Sequence, residues 1–375
     1  MNVSRIDHEW LRRHVSWSLT GAEPIGVESI SHSGGVMGTV HRITCGGWSA
    51  VFKGPPNDPT ALNGLVPGTD LLGREVQSYR FLAARGPTAS RVAPECWWSA
   101  LGPDGLAALV LEDLGATDPL PGVMASGFGR DQATAAVRCL AIVHASLAMT
   151  TSDALTSPYP WLFSASSPGL AAWIRLGIDD LPRVLASRWP AWRHGQALDR
   201  VRSIDVEALI RRSHVGANCV AFCHGDAWAG NALWRSGEDA TQRTEAVLID
   251  WQYAMWGNPL SDVALLLLSS LTPAARDAWE ETLLAQYHET LIAHCELDYT
   301  LGACREDLQR AEPFAAVVAL ATLEAYTEGM RPEELARYAA TARTALDRAG
   351  ISVPSAGRER FDPVTINPTG ASSWT

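Results

Sequence analysis

Three polar residues follow apolar runs in the second half of the chain. In AFCHGDAWAGNALW, residues 221–234, Asp226 comes just after an apolar run and Asn231 lies five positions further on. A second apolar run, AVLID, ends in Asp250. One carboxylate as a base and two hard oxygen ligands suit Mg²⁺ beside a phosphate. We therefore predict that these three residues form one site that handles a phosphate and a metal ion.

A glycine-rich turn and two charged residues lie upstream. Gly34, Gly35 and Gly38 fall between two strand-like runs, where backbone N–H groups can approach an anion closely. Lys53 ends the strand-like SAVFK, and a half-buried lysine needs a partner. Glu75, on the helical segment that follows, can supply it. Each residue alone also fits a turn, a cap or a strand end, but their joint order favours a common site.

This order of motifs resembles the protein-kinase-like fold, and within it the aminoglycoside phosphotransferase and choline and ecdysteroid kinase-like families. The resemblance rests on VFK, LVLEDLG, HGDAWAGN and LIDWQ, which occur in the expected order. The motif HGD, in place of HRD, is typical of small-molecule kinases. The Trp in HGDAW is similar to the ecdysteroid kinase-like branch.

The resemblance implies a role for each residue of the catalytic centre. Asp226 accepts or orients the proton of a substrate hydroxyl, and Asn231 and Asp250 hold the Mg²⁺ ions. Lys53 contacts the α- and β-phosphates of ATP or GTP and is braced by Glu75. Asn231 therefore counts both as a catalytic residue and as a metal ligand.

The same resemblance assigns supporting roles around the nucleotide. The segment from Gly34 to Gly38 covers the phosphates. Backbone groups around Glu112, Asp113 and Leu114 bind the edge of the purine. His224 structures the catalytic loop, and Asp262 braces that loop from the start of a helix.

The chain also departs from the full kinase pattern. Ser33 stands where the glycine-rich loop has its first Gly, so the contact with the phosphates is expected to differ. Trp251 and Gln252 follow the metal-binding Asp, in place of Phe-Gly, and no APE-like motif ends an activation loop. Regulation by loop phosphorylation is therefore not expected.

The elements that must position these residues change in character along the chain. Up to residue 115 the pattern is strand-like with one main helix, and beyond residue 130 it is mostly helical. We predict an α+β, bilobal protein-kinase-like fold, with a small antiparallel β-sheet N-lobe and a large helical C-lobe. The N-lobe covers 1–115, the C-lobe with the acceptor pocket covers 116–350, and 351–375 form a loosely packed tail.

Composition restricts the classes of partner. A formal net charge of -11 argues against a protein that coats nucleic acid or an anionic membrane. The seven Cys residues form no paired framework, and the polar N-terminal segment does not resemble a signal peptide. The longest apolar run, VALLLL, is too short to span a bilayer. We expect a cytoplasmic monomer or dimer.

The predicted function is transfer of the γ-phosphate of ATP or GTP to a hydroxyl of a small molecule. An antibiotic or other natural product, modified for resistance or self-protection, is the first hypothesis for the acceptor. A sterol, sugar, choline-like or hydroxy-acid metabolite is the alternative, and so is a catalytically silent nucleotide-binding protein. Acidic residues such as Asp179, Asp180, Glu324 and Glu328 favour a cationic acceptor, whereas the Trp-rich segment 158–195 favours a bulky apolar one.

Overall fold

The computed structural model describes most of the chain between residues 3 and 323. The described residues are 3–15, 23–30, 38–55, 70–102, 107–115, 127–150, 155–188, 195–236 and 243–323. Within these ranges, no helix is both long enough and apolar enough to cross a membrane.

The N-terminal lobe is built on a five-stranded antiparallel sheet. Its strands are β1 (Gly26–Ser29), β2 (Thr39–Cys45), β3 (Trp48–Gly54), β4 (Cys96–Leu101) and β5 (Ala107–Glu112). Their order in the sheet is β1-β2-β3-β5-β4. Two glycines with positive φ, Gly46 and Gly47, form the tight turn between β2 and β3.

Helices cover the two faces of this sheet. The short helix α1 (His8–His14) packs its Leu11 against one face. The main helix α2 (Leu71–Ala84) packs against the other face and is capped by Asp70, whose side chain accepts a hydrogen bond from Gly73 N at 2.8 Å. One turn of helix, α3 (Pro87–Ser90), follows α2.

Alternation along β3 decides which face each residue meets. Ala50 and Phe52 join the core beneath α1, so the neighbouring Val51 and Lys53 point to the face of α2. The register pairs Lys53 with Val40 of β2 and with Leu109 of β5. Lys53 is thereby directed toward α2 and the C-terminal lobe.

The C-terminal lobe is mostly helical, and one continuous apolar core joins its helices to α2. Thr272 and Thr300 cap its two long C-terminal helices, and each hydroxyl accepts a backbone N–H of the first turn. The helices are α4 (Arg130–Ala145), α5 (Pro168–Arg188), α6 (Gly195–Arg202), α7 (Val206–His214), α8 (Leu260–Ser270), α9 (Pro273–His294) and α10 (Leu301–Ala321).

Two small antiparallel sheets in this lobe carry the predicted catalytic residues. β7 (Val220–Cys223) pairs with β6 (Ala148–Met149) and β10 (Met255–Gly257), and β8 (Ala232–Ser236) pairs with β9 (Arg243–Leu248). Asp226 follows β7 in the chain, and Asp250 lies between β9 and β10. The strand ends therefore bring both carboxylates to the side of the lobe that faces Lys53.

The predicted α+β bilobal kinase-like fold is confirmed. The sheet, its main helix and the helical second half occur where the sequence pattern places them. The domain boundary near residue 115 stays a prediction, since residues 116–126 lie outside the described part. Gly34, Gly35 and the predicted tail from residue 351 also lie outside it.

Candidate active site

A buried ion-pair chain links the two lobes. Lys53 Nζ lies 2.6 Å from Glu75 Oε2 on α2 and 2.5 Å from Asp250 Oδ1 of the C-terminal lobe. The Lys53 side chain is 12% exposed and that of Glu75 1%, whereas Asp250 is 29% exposed and so opens toward the cleft. The ammonium is held at the junction of the lobes, with one carboxylate behind it and one toward solvent.

Electrostatics support a charged lysine at this junction. Burial acts against the ammonium, but the carboxylates of Asp250 and Glu75 raise the pKa of Lys53 above its ordinary value. Burial, opposed by Lys53, raises the pKa of Glu75 to about 7. A fixed positive charge within reach of solvent suits the binding of a phosphate.

The backbone at Asp250 is unusual. It has a left-handed conformation, with φ 65°, and among the described residues other than glycine no other φ is positive. Such conformations cost about 1–3 kcal/mol and concentrate at functional sites. Gln252 Nε2 donates to Asp250 Oδ2 at 3.2 Å and helps to orient the carboxylate.

Asp226 and Asn231 are held together in the catalytic loop. Asn231 Nδ2 donates to the carbonyl and to Oδ2 of Asp226, both at 2.9 Å, and both side chains are buried. Because both amide hydrogens point to Asp226, the amide oxygen of Asn231 is directed away from it. That oxygen and the Asp250 carboxylate are hard ligands, and they fit the Mg²⁺ that the sequence predicts.

Asp262, at the start of α8, fixes the backbone of the catalytic loop. Its carboxylate accepts from His224 N at 2.6 Å and from Gly225 N at 2.9 Å. His144 Nε2 lies 3.1 Å from the same carboxylate and, with the loop amides, lowers the pKa of Asp262 although burial acts the other way. The loop that presents Asp226 is therefore held by a buried negative charge.

His224 acts inside the loop. Its Nε2 lies 2.9 Å from Ile249 O and its Nδ1 accepts from Asp226 N at 3.2 Å, so the ring bridges the Asp226 segment and the residue before Asp250. Burial lowers the pKa of His224, which keeps the imidazole neutral. A neutral ring can donate with one nitrogen and accept with the other, as this geometry requires.

Glu112 and Asp113, in the segment LVLEDLG that the kinase-like resemblance makes the hinge between the lobes, use their side chains within the protein. Glu112 accepts from Arg235 Nη2 of β8 at 2.6 Å, and Asp113 accepts from Arg42 Nε of β2 at 2.7 Å. The amide of Glu112 donates to Glu95 O at 2.8 Å. Binding of a purine edge by the backbone from Glu112 to Leu114 stays a prediction.

Of the three glycines in the predicted phosphate loop, the structure describes Gly38. Its φ is 150°, and a Cβ there would lie 2.7 Å from Gly54 O, so only glycine lets the start of β2 approach the end of β3 this closely. Gly34 and Gly35 are outside the described residues, and the part they play stays a prediction.

Tyr253 is a residue of the site that the sequence pattern did not predict. Its ring stacks on Trp173 of α5 with centroids 4.4 Å apart, and its carbonyl approaches Gly225 so closely that a Cβ there would overlap it. Burial, together with Asp226 and Asp250, raises the pKa of Tyr253 well above its ordinary value. Its position three residues after Asp250 was the available signal, but the side chain's neighbours depend on the fold.

Comparisons with known proteins place the chain in a family. Residues 70–298, more than half of the chain, match the model of the ecdysteroid kinase-like family. A curated relative, the uncharacterized oxidoreductase dhs-27 of Caenorhabditis elegans, is 29% identical over 121 residues, which are 30% of this chain and 15% of that protein. The chain thus spans 15% of the length of this relative.

Two solved structures are similar to this chain over most of its length. Choline kinase from Cryptosporidium parvum has a TM-score of 0.54 at 10% identity, over 91% of this chain and 93% of that one. Choline kinase from Streptococcus pneumoniae has a TM-score of 0.45 at 14% identity, over 90% and 98% of the two chains. The first of these supports the kinase-like fold, and the family match covers both Lys53 partners and the catalytic loop. The chain belongs to the ecdysteroid kinase-like family.

Proposed function

We propose that the protein transfers the γ-phosphate of ATP or GTP to a hydroxyl of a small molecule. The observation that carries this proposal is the ion-pair chain in which Lys53 contacts both Glu75 and Asp250, next to the bonded pair of Asp226 and Asn231. A kinase that uses ATP or GTP needs these groups in one cleft, because phosphoryl transfer depends mainly on alignment and charge neutralisation.

Asp226 acts on the acceptor. Its carboxylate receives or orients the proton of the attacking hydroxyl, while a bond forms between that oxygen and the γ-phosphorus and the bond to the leaving phosphate oxygen breaks. Lys53 neutralises phosphate charge. Asn231 and Asp250 would hold Mg²⁺, which when bound supplies positive charge to the phosphate oxygens.

The stacked pair of Trp173 and Tyr253 marks the side of the cleft where we place the acceptor. Tyr253 packs on the loop that presents Asp226, and Trp173 is partly exposed. This aromatic surface supports an acceptor with a substantial apolar face. Of the acidic residues expected to favour a cationic acceptor, Asp180 forms an ion pair with Arg183 at 2.6 Å, which weakens that alternative. Glu324 and Glu328 lie outside the described residues.

The acceptor belongs to one of two classes of compound. An antibiotic or other natural product modified for resistance is the first, and a sterol, sugar, choline-like or hydroxy-acid metabolite is the second. The purified protein should be incubated with Mg²⁺ and ATP or GTP against a panel from both classes. A mass gain of one phosphate on a single compound identifies the acceptor.

The Asp226→Asn variant tests the catalytic role. It keeps the size of the side chain but removes the proton acceptor, so transfer should fall by roughly 100-fold or more while nucleotide binding persists. Initial rates and calorimetric binding of MgATP provide the two measurements. The exposed Asp298→Asn is the matched control and should retain full activity. Undiminished transfer in Asp226→Asn would refute the assignment.

The competing function is a nucleotide-binding protein without catalysis. It predicts that the wild type binds MgATP but yields neither a phosphorylated acceptor nor slow hydrolysis of the nucleotide. Hydrolysis that is abolished by Asp226→Asn would exclude this alternative even before an acceptor is known.

A further inference from the structure

Arg74 is a residue of the N-terminal lobe whose charged group lies against the C-terminal lobe. Its Nη1 donates a hydrogen bond to Trp161 O, and its guanidinium carbon lies 3.7 Å from the centroid of the Phe163 ring. Burial, opposed by Asp70, lowers the pKa of Arg74 to about 10, which leaves it cationic at neutral pH. A desolvated cation over an aromatic face is a strong contact for one side chain.

The surface that receives Arg74 is part of the catalytic framework. Phe163 N donates to Ala254 O at 3.2 Å, and Phe163 O accepts from Trp256 N at 2.7 Å. Ala254 immediately precedes β10 and Trp256 lies within it, and β10 is paired with β7 immediately before the catalytic loop. Phe163 is buried. The guanidinium is therefore attached to the same sheet that positions Asp226 and the segment after Asp250.

Arg74 immediately precedes Glu75 on α2, and this places the anchor beside the residue that holds Lys53. Other contacts also join this helix region to the C-terminal lobe. The ring of Phe81 packs against that of Phe222 with centroids 4.6 Å apart, and the Glu75 carboxylate accepts a hydrogen bond from the Trp251 backbone. Ser78 Oγ donates to Trp251 O at 3.4 Å, and the exposed Arg85 donates to the hydroxyl of Tyr159 at 3.0 Å. Among these contacts, that of Arg74 is the one that places a cation over an aromatic ring of the C-terminal lobe.

We infer that Arg74 is a positioning residue for the reaction, which anchors α2 to the C-terminal lobe and so keeps Glu75 in place to hold Lys53 against Asp250. This inference rests on the proposed kinase function. It differs from a purely structural role, because it predicts that loss of the anchor acts on catalysis through Glu75.

The Nε of Arg74 fits this interpretation. It is buried and has no hydrogen-bond partner among the described residues. A buried donor without a hydrogen-bond partner destabilises the folded protein. A smaller apolar residue at this position would avoid that penalty. The structure therefore retains Arg74 at a cost, as expected for a residue that fixes a helix in one position.

The test compares Arg74→Met with Arg80→Met. Arg80 lies on the same helix but is exposed and bonds Ser99 within the N-terminal lobe, with Nε 3.0 Å from Ser99 Oγ. Hydrolysis of MgATP in the absence of acceptor reports catalysis, and calorimetry reports MgATP binding. We expect Arg74→Met to lower kcat about tenfold or more, with a smaller change in KM for MgATP, and Arg80→Met to leave both unchanged.

A double-variant comparison separates positioning from general stability. If Arg74 acts through Glu75, then Arg74→Met added to Glu75→Gln should lower kcat little beyond Glu75→Gln alone. Multiplicative losses in the double variant would overturn the inference, and so would an unchanged kcat in a folded Arg74→Met protein. If Arg74→Met does not fold, Arg74→Lys and Phe163→Leu replace it in the same comparison.

Amide hydrogen exchange supplies a readout that does not depend on the proposed function. Without nucleotide, peptides from residues 71–84 should exchange faster in Arg74→Met than in Arg80→Met. Equal exchange in the two variants would overturn the anchor. Faster exchange in a protein whose wild type never turns over nucleotide would instead retain the anchor and reject the kinase proposal.

Discussion

Gly225 shows how closely the catalytic loop is fitted to its neighbours. Its φ of 83° lies in the region that favours glycine, and the space where a Cβ would stand is occupied by Tyr253 O. Two residues that flank it, His224 and Asp226, are both buried. The loop can thus place Asp226 only because no side chain intervenes between it and the segment that follows Asp250.

Replacement of Gly225 by alanine should therefore be more harmful than its backbone conformation alone explains. The left-handed conformation costs an alanine about 1–2 kcal/mol, and displacement of a backbone carbonyl adds about 1–3 kcal/mol. Urea unfolding of Gly225→Ala should show the sum of both losses, and activity should fall as Asp226 moves.

Gly47→Ala is the matched control. Gly47 has a nearly equal φ of 80° but no atom within 4 Å of the place where its Cβ would stand. It should lose the conformational part alone and keep its activity. Equal losses of stability in the two variants would show that contact with Tyr253 is unimportant.

The order of elements was predictable because each is encoded locally. Helix α2 follows from Leu72, Val76 and Tyr79 at helical spacing, and they are all buried. The pairing of Lys53 with Glu75 could be expected from strand alternation and the kinase-like order. Contacts between distant segments could not be predicted from the sequence. The contact of Arg74 with Phe163 and that of Tyr253 with Trp173 depend on how the lobes and helices pack.

The link between β5 and β8 is one such contact between elements. Glu112 accepts from Arg235 Nη2, and Arg235 Nη1 also donates to Arg91 O at 3.1 Å. The two paired side chains are about a quarter exposed, at 26% and 24%. This bridge joins the end of β5 to β8 of the C-terminal lobe.

Double-mutant cycles should show that this bridge is coupled and that an exposed neighbour is not. For Glu112→Gln with Arg235→Met we expect a coupling free energy of about 1 kcal/mol, since solvent still screens the pair. The neighbouring pair of Arg91 and Glu245, with side chains 63% and 45% exposed, is the control and should give a coupling near zero. Equal couplings would contradict the special role of the hinge pair.

The pH dependence of stability is a property of the whole molecule, and His214 contributes to it strongly. Asn258 N donates to its Nδ1 at 3.1 Å, and its buried Nε2 has no partner among the described residues. Burial, opposed by Asp262, lowers the pKa of His214 to about 4. His214 therefore becomes protonated near pH 6.5 in the unfolded chain but only near pH 4 in the folded protein.

Although Glu75, whose pKa burial raises to about 7, acts in the opposite direction, the contribution of His214 to the free energy of unfolding should be fully present above about pH 6.5. It should be lost as the pH decreases toward about 4, by roughly 3 kcal/mol. Below that pH the folded form is protonated as well, and this contribution stops changing. Urea unfolding at several pH values measures the slope. His224, whose pKa is also lowered by burial, adds to this loss in the same direction.

The His214→Asn variant keeps an acceptor for Asn258 N but does not titrate. Its loss of stability between about pH 6.5 and 4 should therefore be smaller than that of the wild type by roughly 3 kcal/mol. The exposed His294→Asn variant should match the wild type. A slope unchanged in His214→Asn would mean that water or a rearrangement satisfies the protonated ring.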